Sequence, residues 1–267
     1  MTPALKGTET FAIHYLVTRV VARGKVWDWV NDYDLVVIGA GSAGVWAARL
    51  GARVALVEKE RIGGDCTNYG CVPSKALLNA AGVAWHLRTA DRFGFDPAVP
   101  GVDLGRVMAG VRRAIERVYA YETPEALTRA GVDVFMGAAR FDDAHTLAVG
   151  GDTRLRARHF LLCTGARPFI PAIPGLQDAQ YWAYQTVWRQ DRLPRRLLVI
   201  GSGPVGTELA QAFGRLGSQV TVFERGDRPL RVADPEASAI LREVFEDEGI
   251  RFGSAPVLTE CERKMGR

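Results

Sequence analysis

One pattern occurs twice in this chain: strand, glycine turn, helix, strand, acid. It confines the fold more tightly than anything else in the sequence. The first copy opens with "YDLVVIGAG", whose apolar run Leu35 to Ile38 ends at Gly39. It continues through "AGVWAARLG" and returns in "RVALVE", which ends at Glu58. The second copy is "LLVIGSGPVGTELAQAFGRLGSQVTVFE", residues 197–224, ending at Glu224. An apolar run with no polar alternation is the mark of a strand buried on both faces of a parallel sheet. Two such openings, 162 positions apart from Gly39 to Gly201, predict an α/β protein with two Rossmann-like units.

The glycines in each copy have separable tasks. In Gly39, Gly41 and Gly44, the first makes the tight turn, the second lets backbone approach a pyrophosphate, and the third lets helix pack on strand. The helix start offers N–H groups and a positive dipole end to phosphate. Glu58 is placed to take adenosine ribose hydroxyls. Gly201, Gly203, Gly206 and Glu224 repeat the arrangement. An acid at 224 favours NADH by repelling a 2′-phosphate, while Arg225 and Arg228 could still accommodate NADPH. The copies differ in length: 23 positions separate Gly201 from Glu224, against 19 from Gly39 to Glu58. Four residues are about one helical turn, roughly 6 Å. Either the first helix is trimmed or the approach to Glu58 is re-routed.

Between the copies, residues 72–89 and 105–130 read as helices. Short β pieces follow in "GVDVFMGAARF", "TLAVGG" and "HFLLCTG". The Pro-rich stretch 166–175 punctuates the end of a first domain. Residues 234–249 read as a helix with Asp234 as N-cap, Pro235 at its first position and Gly249 at its stop. The expected organisation is an extension over 1–32, a first nucleotide-binding domain over 33–190, and a partial second one over 193–267.

Composition narrows the function classes. Of 267 residues, 48% are hydrophobic and 24% charged, which suits a soluble globular chain. The net charge of +4 is spread out, with no basic stripe for nucleic acid. Four cysteines do not make a secreted disulfide scaffold, and their spacing fits no common zinc pattern. Cys163 reads as a buried strand residue. No apolar run reaches the roughly 18 residues of a membrane span. Phe11 to Ala22 reads as a short amphipathic helix or a leader, and the expected location is cytoplasmic.

Cys66 and Cys71 lie in "GGDCTNYGCVPSK", just after the first acid. A metal clip, a structural crosslink and a redox pair are the readings open to them. Cysteines five apart on a regular helix are too distant to bridge, so a bridge requires the irregular backbone that Asn68 and Gly70 permit. A strained bridge is easily reduced. Pro73 suits a first helical turn, and a helix start beside Lys75 stabilises a thiolate at Cys71. Position beside two nucleotide motifs favours the redox reading.

These motifs, with "VVIGAGSAG", "ALVEK" and "LLCTGARP", resemble the class I pyridine nucleotide-disulfide oxidoreductases. That family includes mercuric reductase, dihydrolipoamide dehydrogenase and glutathione reductase. The resemblance covers residues 33 to 255 in the family's order. It implies FAD on the first motif, held by Gly39, Gly41, Ser42, Gly44, Glu58, Lys59, Gly64, Asp65, Ala139, Thr164 and Gly165. It implies NAD(P)H on Gly201, Gly203, Gly206 and Glu224. Cys66 is then the interchange thiol and Cys71 the thiol against the flavin. Lys75 sits near the flavin and pairs with Glu208. Hydride passes from NAD(P)H to FAD, and electrons pass on to the Cys66–Cys71 disulfide and a small-molecule or disulfide acceptor. Lipoamide, a glutathione-type disulfide and Hg(II) are the candidate acceptors. Family members are homodimers of nearly twice this length. The rest of the second nucleotide domain and the interface domain with its His-Glu pair have no counterpart here. A bare sheet edge is therefore expected, and with it either weak turnover or dependence on a second polypeptide.

Overall fold

The computed structural model describes residues 32–49 and 53–254. The extension and Cys261 lie outside the described residues. Contacts divide the chain into two compact units. One holds the described residues up to Thr67 together with Arg117–Ala166, and the other holds Asn68–Glu116 and the described residues from Arg167 onward.

In the first unit, β1 (Tyr33–Ile38), β2 (Val54–Glu58) and β3 (Val132–Met136) run parallel, as does β6 (Thr153–Leu162) beside β1. Strands β4 (Ala139–Phe141) and β5 (Thr146–Val149) complete an antiparallel meander, giving the order β3-β2-β1-β6-β5-β4. The side-chain period of two assigns β1 and β2 to two cores. Val36, Ile38, Ala55 and Val57 join Leu147, Val149, Leu155 and Phe160 of the meander. Val37, Val54 and Leu56 join Val45 and Ala48 of helix α1 (Ser42–Ala48), with Ile62 and Leu127. Both faces of these strands are covered, which is why they read as unbroken apolar runs.

The second unit has parallel strands β7 (Arg196–Ile200), β8 (Gln219–Glu224) and β9 (Arg251–Ser254) in the order β7-β8-β9. Helix α2 (Gly64–Asn68) ends where this unit begins. Helices α3 (Cys71–Arg88), α4 (Leu104–Tyr119), α6 (Pro204–Leu216) and α7 (Pro235–Asp247) contribute Leu77, Met108, Phe213 and Phe245 to one core with Val220 and Val222. The expected caps of α7 are in place: Asp234 accepts a hydrogen bond from the Glu236 N–H at 2.8 Å, and Gly249 has φ 73°.

The four-residue difference between the copies comes from a helix six residues shorter, partly offset by a link to the second strand of five residues rather than two. Helix α1 has 7 residues and α6 has 13. The strand register is the same in both, with Ile38 opposite Val57 and Ile200 opposite Phe223. The helix is trimmed, the link to β2 is longer, and Glu58 keeps its register at the strand end.

Two expectations need correction. The helix expected over 105–130 breaks after Tyr119 and restarts as α5 (Pro124–Arg129). Pro124 drives Thr123 out of helical backbone, and the Thr123 hydroxyl accepts the Ala126 N–H at 3.2 Å to cap the new start. Cys163 lies one residue past β6 and is half-buried rather than a buried strand residue. Burial raises its thiol pKa.

Candidate functional site

Each strand–glycine–helix turn is built by the same three contacts. The first is a tight turn: Gly39 has φ 101° and Gly201 φ 97°. The residue after each glycine donates its N–H to the acid at the end of the next strand. Ala40 donates to Glu58 Oε2 at 2.8 Å, and Ser202 donates to Glu224 Oε2 at 2.7 Å. Lastly, the third glycine lies against the first. A Cβ on Gly44 would stand 1.9 Å from the Gly39 carbonyl oxygen, and one on Gly206 2.0 Å from that of Gly201. The acids therefore pin their own glycine turns.

The two acids differ in what they have left to offer. A carboxylate has about four acceptor sites. Buried Glu58 uses one for Ala40 and one for the Glu60 N–H at 2.8 Å. Glu224 also accepts the Ser202 hydroxyl at 2.7 Å and the N–H groups of Arg225 and Gly226. Burial works to raise the pKa of Glu224, but these donors outweigh it and hold the carboxyl below its ordinary value. It stands charged beside the second turn.

The surroundings fit dinucleotides. A Cβ on Gly203 would meet nothing within 4 Å, so the second turn leaves open space beside the start of the 13-residue helix α6. At the first turn Gly41 bridges to Gly63, and Gly64 approaches it so closely that a Cβ there would stand 2.7 Å from the Gly41 Cα. Gly39 abuts the Cys163 carbonyl, where the Cys163 N–H donates to Ile38 at 2.7 Å. Thr164 and Gly165, both exposed, follow directly. The first unit thus brings Gly39, Gly41, Gly64 and Glu58 together with the turn after β6. Ser42 opens α1, and Asp65 lies in the first turn of α2. Exposed Lys59 pairs with Glu60 at 3.6 Å. Ala139 opens β4 opposite Val149, exposed, two residues after Gly137, whose N–H donates to the Glu58 carbonyl.

The cysteine loop is irregular where the spacing demands it. Half-buried Cys66 lies in α2, which ends at Asn68. Exposed Cys71 is the first residue of α3, and Gly70 before it has φ −111° and ψ −105°. Both are thiols in this structure. Pro73 falls in the first turn of α3. One turn on from Cys71, Lys75 forms an ion pair with Glu208 of α6. At the other end of α3, Arg88 donates to the Arg215 carbonyl of α6. The helix carrying Cys71 is therefore fastened along the helix that starts at the second glycine motif.

One anchor carries no local sequence signal. The buried Trp188 indole N–H donates to the Tyr69 carbonyl at 2.8 Å, two residues before Cys71. Trp188→Phe removes the N–H donor and part of the indole, orphaning that carbonyl and leaving a void in the core, so it should cost about 3 kcal/mol. A lower urea midpoint with unchanged slope is the expected result. An unchanged midpoint would mean that the bond contributes nothing.

Comparison with known proteins agrees with this geometry. The family described as "Pyridine nucleotide-disulphide oxidoreductase" matches residues 33–265. Mercuric reductase from Serratia marcescens is 39% identical over 248 residues, covering 85% of this chain and 54% of that protein. Dihydrolipoyl dehydrogenase from Thermus scotoductus is 37% identical over 242 residues, covering 88% and 51%. The HOCl-induced flavoprotein disulfide reductase RclA from Escherichia coli superposes with a TM-score of 0.69 at 27% identity, covering 83% of this chain and 49% of that one. The chain spans about half the length of the curated relatives it matches.

Proposed function

Because the chain belongs to the pyridine nucleotide-disulphide oxidoreductase family, we propose that it is an FAD-dependent oxidoreductase that uses NADH to reduce a disulfide-type acceptor through Cys66 and Cys71. The observation that carries this reading is the Lys75–Glu208 pair. It ties the helix of one redox cysteine to the helix of the second nucleotide motif.

The chain's own residues have distinct parts. Gly39, Gly41, Gly44 and Glu58 hold FAD, with Ser42, Lys59, Gly64, Asp65, Ala139, Thr164 and Gly165 around it. Gly201, Gly203, Gly206 and Glu224 hold the nicotinamide nucleotide. FAD, when bound, supplies the means to accept hydride and relay an electron pair. That pair and two protons convert the Cys66–Cys71 disulfide into two thiols. The Cys66 thiolate attacks one sulfur of the acceptor and expels the other as a thiol. Cys71 then attacks the Cys66 sulfur, releases the second thiol and restores the internal disulfide. The small thiol donor at a helix start suits this exchange.

The charged Glu224 supports NADH over NADPH, since a 2′-phosphate would meet like charge. The expected result is at least tenfold tighter binding of NADH than of NADPH, measured by quenching of tryptophan fluorescence. Glu224→Gln removes the charge and should narrow that ratio to about threefold or less, a change of roughly 1 kcal/mol. Equal binding of both nucleotides by the unaltered chain would contradict the assignment of Glu224.

A second reading has one observation in its favour. The chain binds nucleotide but turns over only weakly alone, because β7 leaves Leu198 and Ile200 exposed. Steady-state NADH consumption with a disulfide acceptor separates the two.

A further inference from the structure

The two glycine turns share one more contact, and they make it with different residues. In each, the residue after the first glycine also accepts, at its carbonyl, an N–H from just beyond the acid. In the first copy the Gly63 N–H, five residues past Glu58, donates to the Ala40 carbonyl at 2.7 Å. In the second the Leu230 N–H, six residues past Glu224, donates to the Ser202 carbonyl at 2.9 Å. The donor residue has positive φ both times, 90° at Gly63 and 49° at Leu230. Glycine adopts such backbone freely, whereas a Cβ there crowds the following carbonyl oxygen. Leu230 is the one non-glycine residue with positive φ among the described residues.

The surroundings over-determine that conformation. The Pro229 carbonyl and the Leu230 N–H belong to one peptide group, which is held from two sides. The Ser238 hydroxyl of α7 donates to its oxygen, and the Ser202 carbonyl accepts its hydrogen. The Leu230 carbonyl in turn accepts the Ala233 N–H at 2.7 Å. Backbone strain of this kind clusters at ligand sites. Core packing does not account for it: Leu230 is half-buried and belongs to none of the three hydrophobic cores of the described residues. Its partner Ser202 donates both N–H and hydroxyl to Glu224 Oε2 at 2.7 Å. A Cβ on Gly201 or Gly203 would meet nothing within 4 Å, so the turn beside it is open.

We infer that Leu230 is a nucleotide-binding residue whose side chain walls the adenine ring of NADH. This rests on the assignment of the nicotinamide nucleotide to the second motif. With Glu224 on the adenosine ribose, the base on that ribose lies beyond the acid, toward the loop that carries Leu230. The face of an adenine ring is flat and weakly polar, and an apolar side chain fixed by its backbone covers it at little entropic cost. A glycine, as at position 63, would relieve the strain and offer no such wall.

The test compares Leu230→Ala with Leu230→Gly. Both remove the side chain beyond Cβ, and only glycine relieves the backbone. Urea denaturation should give Leu230→Gly an unfolding constant about fivefold smaller than that of Leu230→Ala. Isothermal titration calorimetry should show NADH and ADP-ribose, which both carry adenine, bound more weakly by each variant, by about fivefold or more. Leu230→Met keeps an apolar side chain and should bind both within about twofold of the unaltered chain. Reduced nicotinamide mononucleotide lacks the adenosine half and should bind all of these chains alike. NADH affinity unchanged in Leu230→Ala, weakening by the glycine variant alone, equal weakening of the mononucleotide, or equal stability of the alanine and glycine variants would overturn the inference and leave the reading of the second motif in place. Failure of the unaltered chain to bind NADH would overturn that reading, and the inference with it.

Discussion

Cys66→Ser should abolish reduction of a disulfide acceptor and leave NADH-driven reduction of an electron-accepting dye in place. The separation follows from where each acceptor takes its electrons. A disulfide requires a sulfur nucleophile that forms a mixed disulfide and is then displaced. A serine hydroxyl at position 66 forms no such bond. A dye takes electrons without passing through the cysteines. Loss of a covalent nucleophile typically lowers kcat by about three orders of magnitude or more, and that is the fall expected with the disulfide. Dye reduction should change by about twofold or less. Cys71→Ser should also stop disulfide turnover, but at a later step, with the acceptor trapped as a mixed disulfide on Cys66. Intact-mass measurement would show the added half of the acceptor. If Cys66→Ser lowers disulfide and dye reduction equally, Cys66 is not the residue that meets the acceptor.

The same chemical change, glycine to alanine, should have opposite effects at two helical positions. At Gly206 the new methyl would stand 2.0 Å from the Gly201 carbonyl oxygen and 3.1 Å from its carbon. Both are backbone atoms of the turn itself, so relief requires α6 to move off β7. Overpacking of this kind costs about 3 kcal/mol, and the displaced helix start should weaken NADH binding at least tenfold. At Gly82, within α3, the methyl would meet nothing within 4 Å. There the helical backbone gains rigidity, and Gly82→Ala should stabilise by about 0.5–1 kcal/mol with NADH binding unchanged. Urea denaturation and fluorescence titration of both variants are the measurements. Similar effects from the two substitutions would mean that the packing of α6 on its own glycine turn is not what shapes the second site.

The parts of the fold that were readable along the chain are those set by neighbours in sequence. Strands β1, β2, β7 and β8 announce themselves as apolar runs ending in glycine or acid, because burial and turn act within a few residues. Asp234, Pro235 and Gly249 frame α7 for the same reason. The break between α4 and α5 was readable from Thr123-Pro124 but loses to the strong apolar periodicity on either side. The role of the acids was half legible. Their position at the strand end is the ground on which a ribose-binding role is proposed for them, while their bonds to Ala40 and Ser202 arise only once strand register is set. The bond from Trp188 to Tyr69 joins residues 119 positions apart, and neither residue carries a local pattern that points to the other. The pairing of Lys75 with Glu208 across 133 positions came from the family resemblance, not from spacing.

The most direct test of the account is a thiol count by mass spectrometry. The purified chain is air-oxidised, loaded with FAD, made anaerobic, mixed with NADH, and alkylated. The account predicts two new alkylated cysteines, Cys66 and Cys71, appearing together, only when both FAD and NADH are present. If FAD is bound and NADH is consumed while Cys66 and Cys71 stay in their disulfide, or if they never form one on oxidation, the pair is not the redox centre described here.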